Sequence, residues 1–332
     1  LNPNSRQQVK ARLAELGVAV PNVQEETLRG VRDRHPLIPF LLDYRDASKR
    51  ASTYGSEFLK HLHPATGRVH ADYRQLGAAT GRMACSSPNL QNIPRDPVYR
   101  ASFRPDEGRV LVKADLSLVE LCVAAELAGD DRMIRAIADG QDLHRLTAAA
   151  LFAKEPAAVT AGERAFGKAV NFGTLYGQGK RGLIELAAKH GLALSEAEAA
   201  RVQRRFAEAW PQLVSWQRRQ MGDASSEVRT ASGRLRRLSR RDGGPLRANT
   251  PVQGTAADGF KAALARLWET RERHPSAAPV LAVHDELVVE CHATEAEAVS
   301  AWVAGCLQEG MQAYLSRVPV RVEATAAGTW AG

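Results

Sequence analysis

The sequence has few cysteines, and none lies in a pattern in which cysteine usually carries chemistry. The four, Cys85, Cys122, Cys291 and Cys306, form no C-x-x-C pair and no cysteine–histidine cluster at zinc-binding spacing. No apolar run is long enough to cross a membrane, and no signal peptide is recognisable. We therefore expect a protein of the reducing cytoplasm, and we expect no membrane partner for it.

The remaining composition is that of a globular protein with a basic surface. The 332 residues are 44% hydrophobic and 25% charged, which predicts two or three subdomains. The net charge is +8, and arginine far outnumbers lysine. Because guanidinium groups bind phosphates through paired hydrogen bonds, this balance favours a polyanionic partner, although only weakly. The chain starts at Leu1, within helical sequence, so we expect that an upstream domain is missing.

The stretch from Val280 to Glu290 predicts a β-hairpin with an acidic tip. Apolar β-forming residues run up to His284 and Asp285 and resume at Leu287. Two strands cannot bury so many apolar side chains alone, so the hairpin must belong to a larger sheet. On this stretch alone, an ordinary hairpin with a solvated turn is the simpler interpretation.

A second carboxylate ends a predicted strand over residues 109–115. Asp115 is followed by a helix whose first residues, Ser117 and Glu120, fit the capping box S-x-x-E. A carboxylate beside a buried strand costs free energy unless donors or a cation are present. If the fold joins Asp115 to Asp285, their repulsion calls for divalent cations, but a structural aspartate at a strand-to-helix turn is equally compatible.

The helix predicted from residue 160 to about Tyr176 carries a regular row of side chains. After a capping box at residues 160–163, Arg164, Lys168, Phe172 and Tyr176 follow at intervals of four and share one face. An amphipathic helix with solvated cations explains the pattern. A row that holds a nucleoside triphosphate explains it as well, with the cations on the phosphates and the rings near base and sugar.

Other segments offer candidate contacts to a nucleic acid. Residues 229–241 contain six arginines around a glycine turn, which indicates either a solvated face or a phosphate clamp that includes Arg234. Asn89 and Asn92 lie in a loop whose amides satisfy a loop backbone or hold a nucleic-acid backbone. Further capping boxes predict helices from Ser195 and from residues 294 to 314, and residues 318–323 predict a last strand.

Taken together, these motifs resemble the polymerase region of family A DNA polymerases over nearly the whole chain. The motifs that carry the resemblance, in family order, are Thr80-Gly81-Arg82, the loop Pro88 to Pro94, motif A (Asp115 to Leu121), motif B (Arg164 to Gly177), Pro251 to Asp258, and motif C (Val283 to Glu286). The resemblance implies an α+β right-hand polymerase fold. It assigns residues 1–65 to the remaining part of a thumb, 66–132 to the palm with motif A, 133–248 to helical fingers and 249–332 to the palm with motif C.

The resemblance implies a template-directed DNA polymerase that adds dNTPs to a primer 3′ end and releases pyrophosphate. Asp115, Asp285 and the Leu116 carbonyl would bind two Mg²⁺ ions, with Mn²⁺ as a possible substitute. Glu286 would support the metal site, and Lys168 would act in catalysis. The implied dNTP-binding residues are Leu116, Glu120, His144, Arg164, Lys168, Phe172 and Tyr176, with Tyr176 hydrogen-bonded to Glu120. The DNA-binding set is Arg82, Asn89, Asn92, Arg234, Asn249, Gln253 and His284. Primer–template DNA and dNTPs would be the partners of a monomer.

The chain departs from the family pattern at several polar positions. Leu116, Leu118 and Cys122 stand where the family usually has Tyr, Gln and Arg, Ala282 replaces a Gln and Pro245 an Arg. These losses remove contacts to sugar or minor groove rather than metal ligands. We expect retained activity with altered fidelity or substrate tolerance, as in a divergent phage, plasmid or repair enzyme.

Two other functions remain open at this point. A single-subunit RNA polymerase shares the palm, although Glu120 beside Phe172 argues against it. A non-catalytic primer–template-binding relative is the other alternative. No D-x-E exonuclease motif is present, so proofreading within this chain is not expected.

Overall fold

The computed structural model describes residues 1–239 and 241–332. It divides into two compact units, Leu1–Asp72 with Ser86–Asn89, and Tyr73–Cys85 with Leu90–Gly332. Helices and antiparallel sheets are both present, as the α+β prediction requires. No helix in the described ranges is long and apolar enough to cross a membrane.

The first unit is helical. It contains α1 (Arg6–Glu15), α2 (Glu25–Arg29) and α3 (Leu37–Tyr54), with 3₁₀ turns at Arg32–Arg34 and Ser56–His61. Ser5 caps α1 by accepting from the Gln8 N–H, and Gly17 ends this segment in a left-handed conformation, as the sequence predicts. Apolar side chains of these helices form a separate small core that includes Leu13, Leu28 and Ile38.

The second unit holds the remaining helices and the main sheet. Its helices are α4 (Pro97–Arg100), α5 (Val119–Ala128), α6 (Asp131–Ala138), α7 (Leu143–Phe152), α8 (Ala161–Leu175), α9 (Lys180–Lys189), α10 (Glu196–Ala209), α11 (Pro211–Gly222), α12 (Gly244–Glu269) and α13 (Ala296–Gln312). The strands of the chain are β1 (Asp72–Arg74), β2 (Ala84–Ser86), β3 (Arg109–Leu116), β4 (Glu227–Arg229), β5 (Leu235–Arg237), β6 (Ala278–Val283), β7 (Glu286–His292) and β8 (Val322–Ala327).

The main sheet has four antiparallel strands in the order β6-β7-β3-β8. The predicted hairpin is confirmed as β6 and β7, and β3 lies beside it at the centre of the sheet. The last strand begins later than residues 318–323 predict, because the Val318 N–H donates to Glu126 and Pro319 has no N–H to donate. The strand that pairs with β3 therefore starts at Val322, opposite Leu116.

Two long helices pack closely against each other beside this sheet. A Cβ atom at Gly310 of α13 would lie 2.6 Å from the Gly259 carbonyl oxygen of α12, so this approach requires glycine. Helix α12 begins at Gly244 and runs through Pro251 to Glu269. Pro251 has no N–H, so the helix continues with one donor fewer.

Two of the four predicted capping boxes are confirmed, at residues 160–163 and 195–198. The box predicted at Ser117 and Glu120 is wrong, because the N-cap residue is Leu118, in a left-handed conformation without a side-chain cap. The box predicted from Thr294 is also wrong, because a 3₁₀ turn precedes α13. All four cysteines are buried and none forms a disulfide.

Candidate active site

The sheet brings the two predicted metal-binding aspartates together. Asp115 lies near the end of β3, opposite Glu286 of β7, and Asp285 lies in the turn just before Glu286. The Leu116 N–H donates to the Asp285 carbonyl oxygen over 3.1 Å. His284 makes the turn possible by adopting a left-handed φ of 59°. Two distant segments of sequence thus meet at one edge of a rigid sheet.

The electrostatics of this edge indicate a place for a cation. Burial, followed by the charges of Asp285 and Glu286, raises the pKa of Asp115 to about 6. No group of three or more His, Cys, Asp or Glu side chains in the described residues is arranged to hold a metal. The donor set that this edge offers is the carboxylates of Asp115 and Asp285. Mg²⁺ fits this set, because it keeps several waters and takes its other oxygens from substrate phosphates.

The carboxylate of Glu286 accepts hydrogen bonds from two residues that no sequence motif indicates. Arg100 donates to both Glu286 oxygens over 3.2 and 3.4 Å, and the Trp330 indole N–H donates to the same carboxylate. The Arg100 guanidinium lies 4.1 Å from the centre of the Trp330 ring, and Phe103 packs edge-on against that ring. The Glu286 carboxylate is therefore fixed in position.

The cationic end of α8 is bound to the start of α7. Arg164 forms an ion pair with Asp142, whose carboxylate also caps α7 by accepting from the N–H groups of His144 and Arg145 over 3.0 Å. Burial lowers the pKa of His144 to about 4; Asp142 opposes this shift, whereas Lys168 and Arg164 add to it. The imidazole is therefore neutral at neutral pH, which leaves it able to donate a hydrogen bond without adding charge.

The aromatic end of α8 contacts α5. Phe172 and Tyr176 are stacked with ring centroids 6.4 Å apart, and the predicted hydrogen bond from Tyr176 to Glu120 is present. Glu120 is buried and also accepts from Arg82. Burial and the Glu120 carboxylate raise the pKa of Tyr176 to about 12, so the phenol keeps its proton and remains the donor.

A cavity of about 610 Å³ opens beside these elements. Its lining includes Arg164 and Lys168 of α8, His144 of α7, and Ser117, two residues after Asp115. Glu323, which lies opposite Asp115 on β8, also lines it. The cavity thus extends from the cationic row of α8 to Ser117 and Glu323, which neighbour Asp115 in the sequence and across the sheet.

The predicted DNA-binding residues fall in different surroundings. Gln253 hydrogen-bonds the phenol of Tyr176, and His284 is at the hairpin tip. The Oδ1 atom of Asn249 is buried and has no hydrogen-bond partner among the described residues. Asn92 ends a 3₁₀ turn in the second unit, and Asn89 belongs to the first unit. The predicted positions are therefore not one uniform surface.

Arg234, which the arginine-rich run predicts as part of a phosphate clamp, forms several contacts within the protein. Its guanidinium forms an ion pair with Asp258 over 2.8 Å and donates to the carbonyl oxygens of Thr80 and Gly254. Thr230 and other neighbours also donate to Asp258, so the arginine is part of an internal network. Arg240 of the same basic run lies outside the described residues.

Comparison with known proteins agrees with this geometry. The profile of DNA polymerase family A matches residues 1–332. The thermostable DNA polymerase I of Thermus filiformis is 37% identical over 99% of this chain and 41% of its own length. DNA polymerase I of Deinococcus radiodurans is 34% identical over 91% of this chain and 32% of its own length. The chain therefore spans less than half the length of these two relatives.

A solved structure shares the fold across the entire chain. The polymerase domain of Pol1 from M. smegmatis, determined in complex with DNA primer-template and dNTP, superposes with a TM-score of 0.90. The match is 27% identical and covers 100% of this chain and 61% of that one. With the full-length family match and the relatives above, it fixes the family. The chain belongs to DNA polymerase family A.

Proposed function

We propose that the chain is a template-directed DNA polymerase that transfers the nucleotidyl group of a dNTP to a primer 3′-hydroxyl and releases pyrophosphate. The observation that carries this proposal is the cavity lined by Arg164 and Lys168, which extends to Glu323, the residue opposite Asp115 in the sheet. Cations that suit a triphosphate thus lie near the sheet edge whose carboxylates suit divalent metals. Family membership adds support, because the relatives are DNA polymerases.

Asp115, Asp285 and the Leu116 carbonyl would hold two Mg²⁺ ions, for which Mn²⁺ is a substitute. When bound, such ions lower the pKa of the attacking hydroxyl and stabilise charge on the leaving phosphates. The chain contributes the position of the carboxylates, which two neighbouring strands fix. Glu286 would act only indirectly, because Arg100 and Trp330 hold its carboxylate.

The residues of α8 would bind the incoming nucleotide. Lys168 and Arg164 would contact its phosphates, and the neutral imidazole of His144 would donate a further hydrogen bond. Phe172 would pack against the sugar. Glu120, held under Tyr176, would occupy the space that a ribose 2′-hydroxyl needs and would thereby select deoxynucleotides.

The remaining predicted residues would contact primer–template DNA. Arg82, Gln253 and His284 would lie along the primer end, with Asn89 and Asn92 as further contacts. The buried Oδ1 of Asn249 lacks a partner among the described residues, which supports an external donor for it.

The domain assignment follows the resemblance. We assign residues 1–65 to the thumb, 66–132 and 249–332 to the palm, and 133–248 to the fingers. We also propose a bacterial, cytoplasmic setting, because these relatives are bacterial enzymes, and a monomeric state.

Extension of a primed DNA template tests the proposal. Wild type with Mg²⁺ should incorporate dNTPs far better than NTPs, which separates it from a single-subunit RNA polymerase. Asp285→Ala and Asp115→Ala should each lower turnover by about three orders of magnitude or more while duplex binding is retained. Tight duplex binding without extension by wild type would instead support a non-catalytic relative.

A further inference from the structure

The lining of the cavity includes an arginine that no motif indicates. Arg321, the residue before β8, lines the cavity together with Arg164 and Lys168. Its guanidinium donates to the Ala138 carbonyl oxygen over 3.2 Å and lies directly over Gly140. A Cβ atom at Gly140 would come within 2.6 Å of the Arg321 Nη1 atom. Glycine at this turn therefore provides the room that the guanidinium occupies.

Two of the cations that line the cavity have no carboxylate partner among the described residues. Asp142 neutralises Arg164, whereas neither Lys168 nor Arg321 forms an ion pair with a carboxylate in the part of the chain that the structure describes. Glu323 is the other carboxylate of the lining, and it lies at the Asp115 end, where its charge acts on Asp115. Two cations that face one cavity repel each other, and a bound polyanion removes that cost.

The cavity also has an uncharged part of its lining, which includes Cys122, Ile137 and Gln308. The charge of Arg321 acts on the Cys122 thiol, so the two side chains are neighbours. Burial raises the pKa of the Cys122 thiol to about 12, so the thiol stays neutral. Arg321 is therefore the cation beside this uncharged part of the lining, and it comes from the connection to β8 rather than from α8.

We propose that Arg321 is a third phosphate-binding cation, which holds the terminal phosphate of the incoming dNTP and then the released pyrophosphate. The inference rests on the proposed function, because it assigns a further residue to the same site. Arg164 and Lys168 approach the triphosphate from α8, and Arg321 approaches from the strand side. Arginine suits this position because its planar group binds two phosphate oxygens while remaining against the 138–140 turn.

Equilibrium binding to a complex of enzyme and chain-terminated primer–template tests the assignment. Arg321→Ala should weaken the binding of the matched dNTP about tenfold, as expected for the loss of one charge-assisted contact, and should weaken inorganic pyrophosphate similarly. The matched deoxynucleoside diphosphate, which lacks the terminal phosphate, should bind wild type and variant within about twofold. Arg321→Lys should recover part of the loss, because it retains the charge.

Arg317→Ala is the matched control, because Arg317 lies on the same connection to β8 but pairs with Asp131 outside the cavity. It should leave all three affinities unchanged. If Arg321→Ala weakens dNTP and diphosphate equally, Arg321 only braces the 138–140 turn and the assignment is wrong. Unchanged dNTP and pyrophosphate affinities would also overturn it. Wild type that binds nucleotide but extends no primer would contradict the proposed function. That result is measured separately from the affinity ratios, so the two failures can be distinguished.

Discussion

The phenol of Tyr176 donates a hydrogen bond to the buried carboxylate of Glu120, whose other oxygen accepts from Arg82. This contact ties the C-terminal end of α8 to the first turn of α5. Because Arg82 and Tyr176 share one carboxylate, a change in either partner alters the position of Glu120. Sugar selection, in the function proposed above, should therefore depend on residues that need not touch the sugar.

Glu120→Ala should increase NTP incorporation relative to dNTP incorporation by about tenfold or more, because the space for a 2′-hydroxyl opens. Tyr176→Phe, which removes only the hydroxyl, should cause a smaller change in the same direction. The double variant should differ little from Glu120→Ala alone, since both changes act through one carboxylate. Single-nucleotide kcat/KM values for matched dNTP and NTP measure the effect. Additive effects would show that the two residues act separately.

Trp330→Phe should lower the turnover number about three- to tenfold, because Glu286 loses one of its two donors beside Asp115. The variant keeps a ring beneath Arg100 and against Phe103, so most of the packing survives. The dNTP affinity should not change, which separates positioning of the metal site from damage to the nucleotide site. Single-turnover kinetics measures the turnover number and the dNTP affinity, and an unfolding curve recorded in parallel shows whether the variant is folded. Unchanged turnover in a folded protein would remove Trp330 from this role.

Arg234→Ala should destabilise the fold by about 2 kcal/mol or more, because it leaves the buried Asp258 without its guanidinium partner. Arg237 lies three residues further along, at the end of β5, with an exposed side chain, and provides the control. Arg237→Ala should leave the free energy of unfolding within about 0.5 kcal/mol of wild type. Chemical denaturation without DNA measures both values. Equal stabilities would show that the internal contacts of Arg234 contribute little to the fold and would favour its predicted role in DNA contact.

Glu126 stabilises the connection to β8 in a pH-dependent way. Its carboxylate accepts from the N–H groups of Ser316, Arg317 and Val318 and from the Ser316 hydroxyl. Burial raises the pKa of Glu126, but these hydrogen bonds outweigh burial and lower it below the ordinary value of 4.5. A carboxyl group with a lowered pKa stabilises the fold above its unfolded-state pKa and loses that contribution as the pH falls through its folded-state pKa.

Glu126→Gln should therefore lower the free energy of unfolding by about 1–2 kcal/mol at neutral pH. The difference in the free energy of unfolding between variant and wild type should shrink as the pH falls below 4.5, because the wild-type carboxylate becomes neutral, like the amide of glutamine. Urea denaturation at a series of pH values measures this convergence. A difference that stays constant across the range would mean that shape, rather than charge, determines the contribution.

Ala282→Gln tests the expected change in fidelity. The Ala282 backbone is held by Tyr73 and Gln91, and its small side chain lines a narrow cavity with Met83 and His284. A glutamine there adds an amide that can reach the minor groove, which should improve discrimination against mispaired primer ends about two- to tenfold. Mismatch-extension kinetics measures the ratio. Error rates of wild type equal to those of an ordinary family A polymerase would remove the reason for this prediction.

Much of this site could be predicted because its residues follow strong local patterns. The strand ending at Asp115, the hairpin with Asp285 and the four-residue spacing of α8 each depend on periodicity, which sequence records directly. The capping box of Ser117 and Glu120 could not be rejected in the same way. Glu120 has long-range partners, Arg82 and Tyr176, and these tertiary contacts outweigh the local cap.

The unpredicted parts of the site depend on residues that are distant in sequence. Arg100 and Trp330 hold Glu286 only because α4 and the C-terminal segment fold to the same place. The internal partner of Arg234 is Asp258 of α12, which an arginine-rich run gives no means of identifying. Arg321 likewise enters the cavity through the order of strands in the sheet, with β8 beside β3.

The burial of every cysteine makes the protein convenient for site-specific chemistry. Because thiol reagents need exposed thiolates, the native side chains should react slowly in the folded state. The Arg181 side chain on α9 is 95% exposed, so Arg181→Cys would offer a single accessible thiol without removal of the native ones. A fluorophore attached there would test whether the surroundings of this helix change when nucleotide is added.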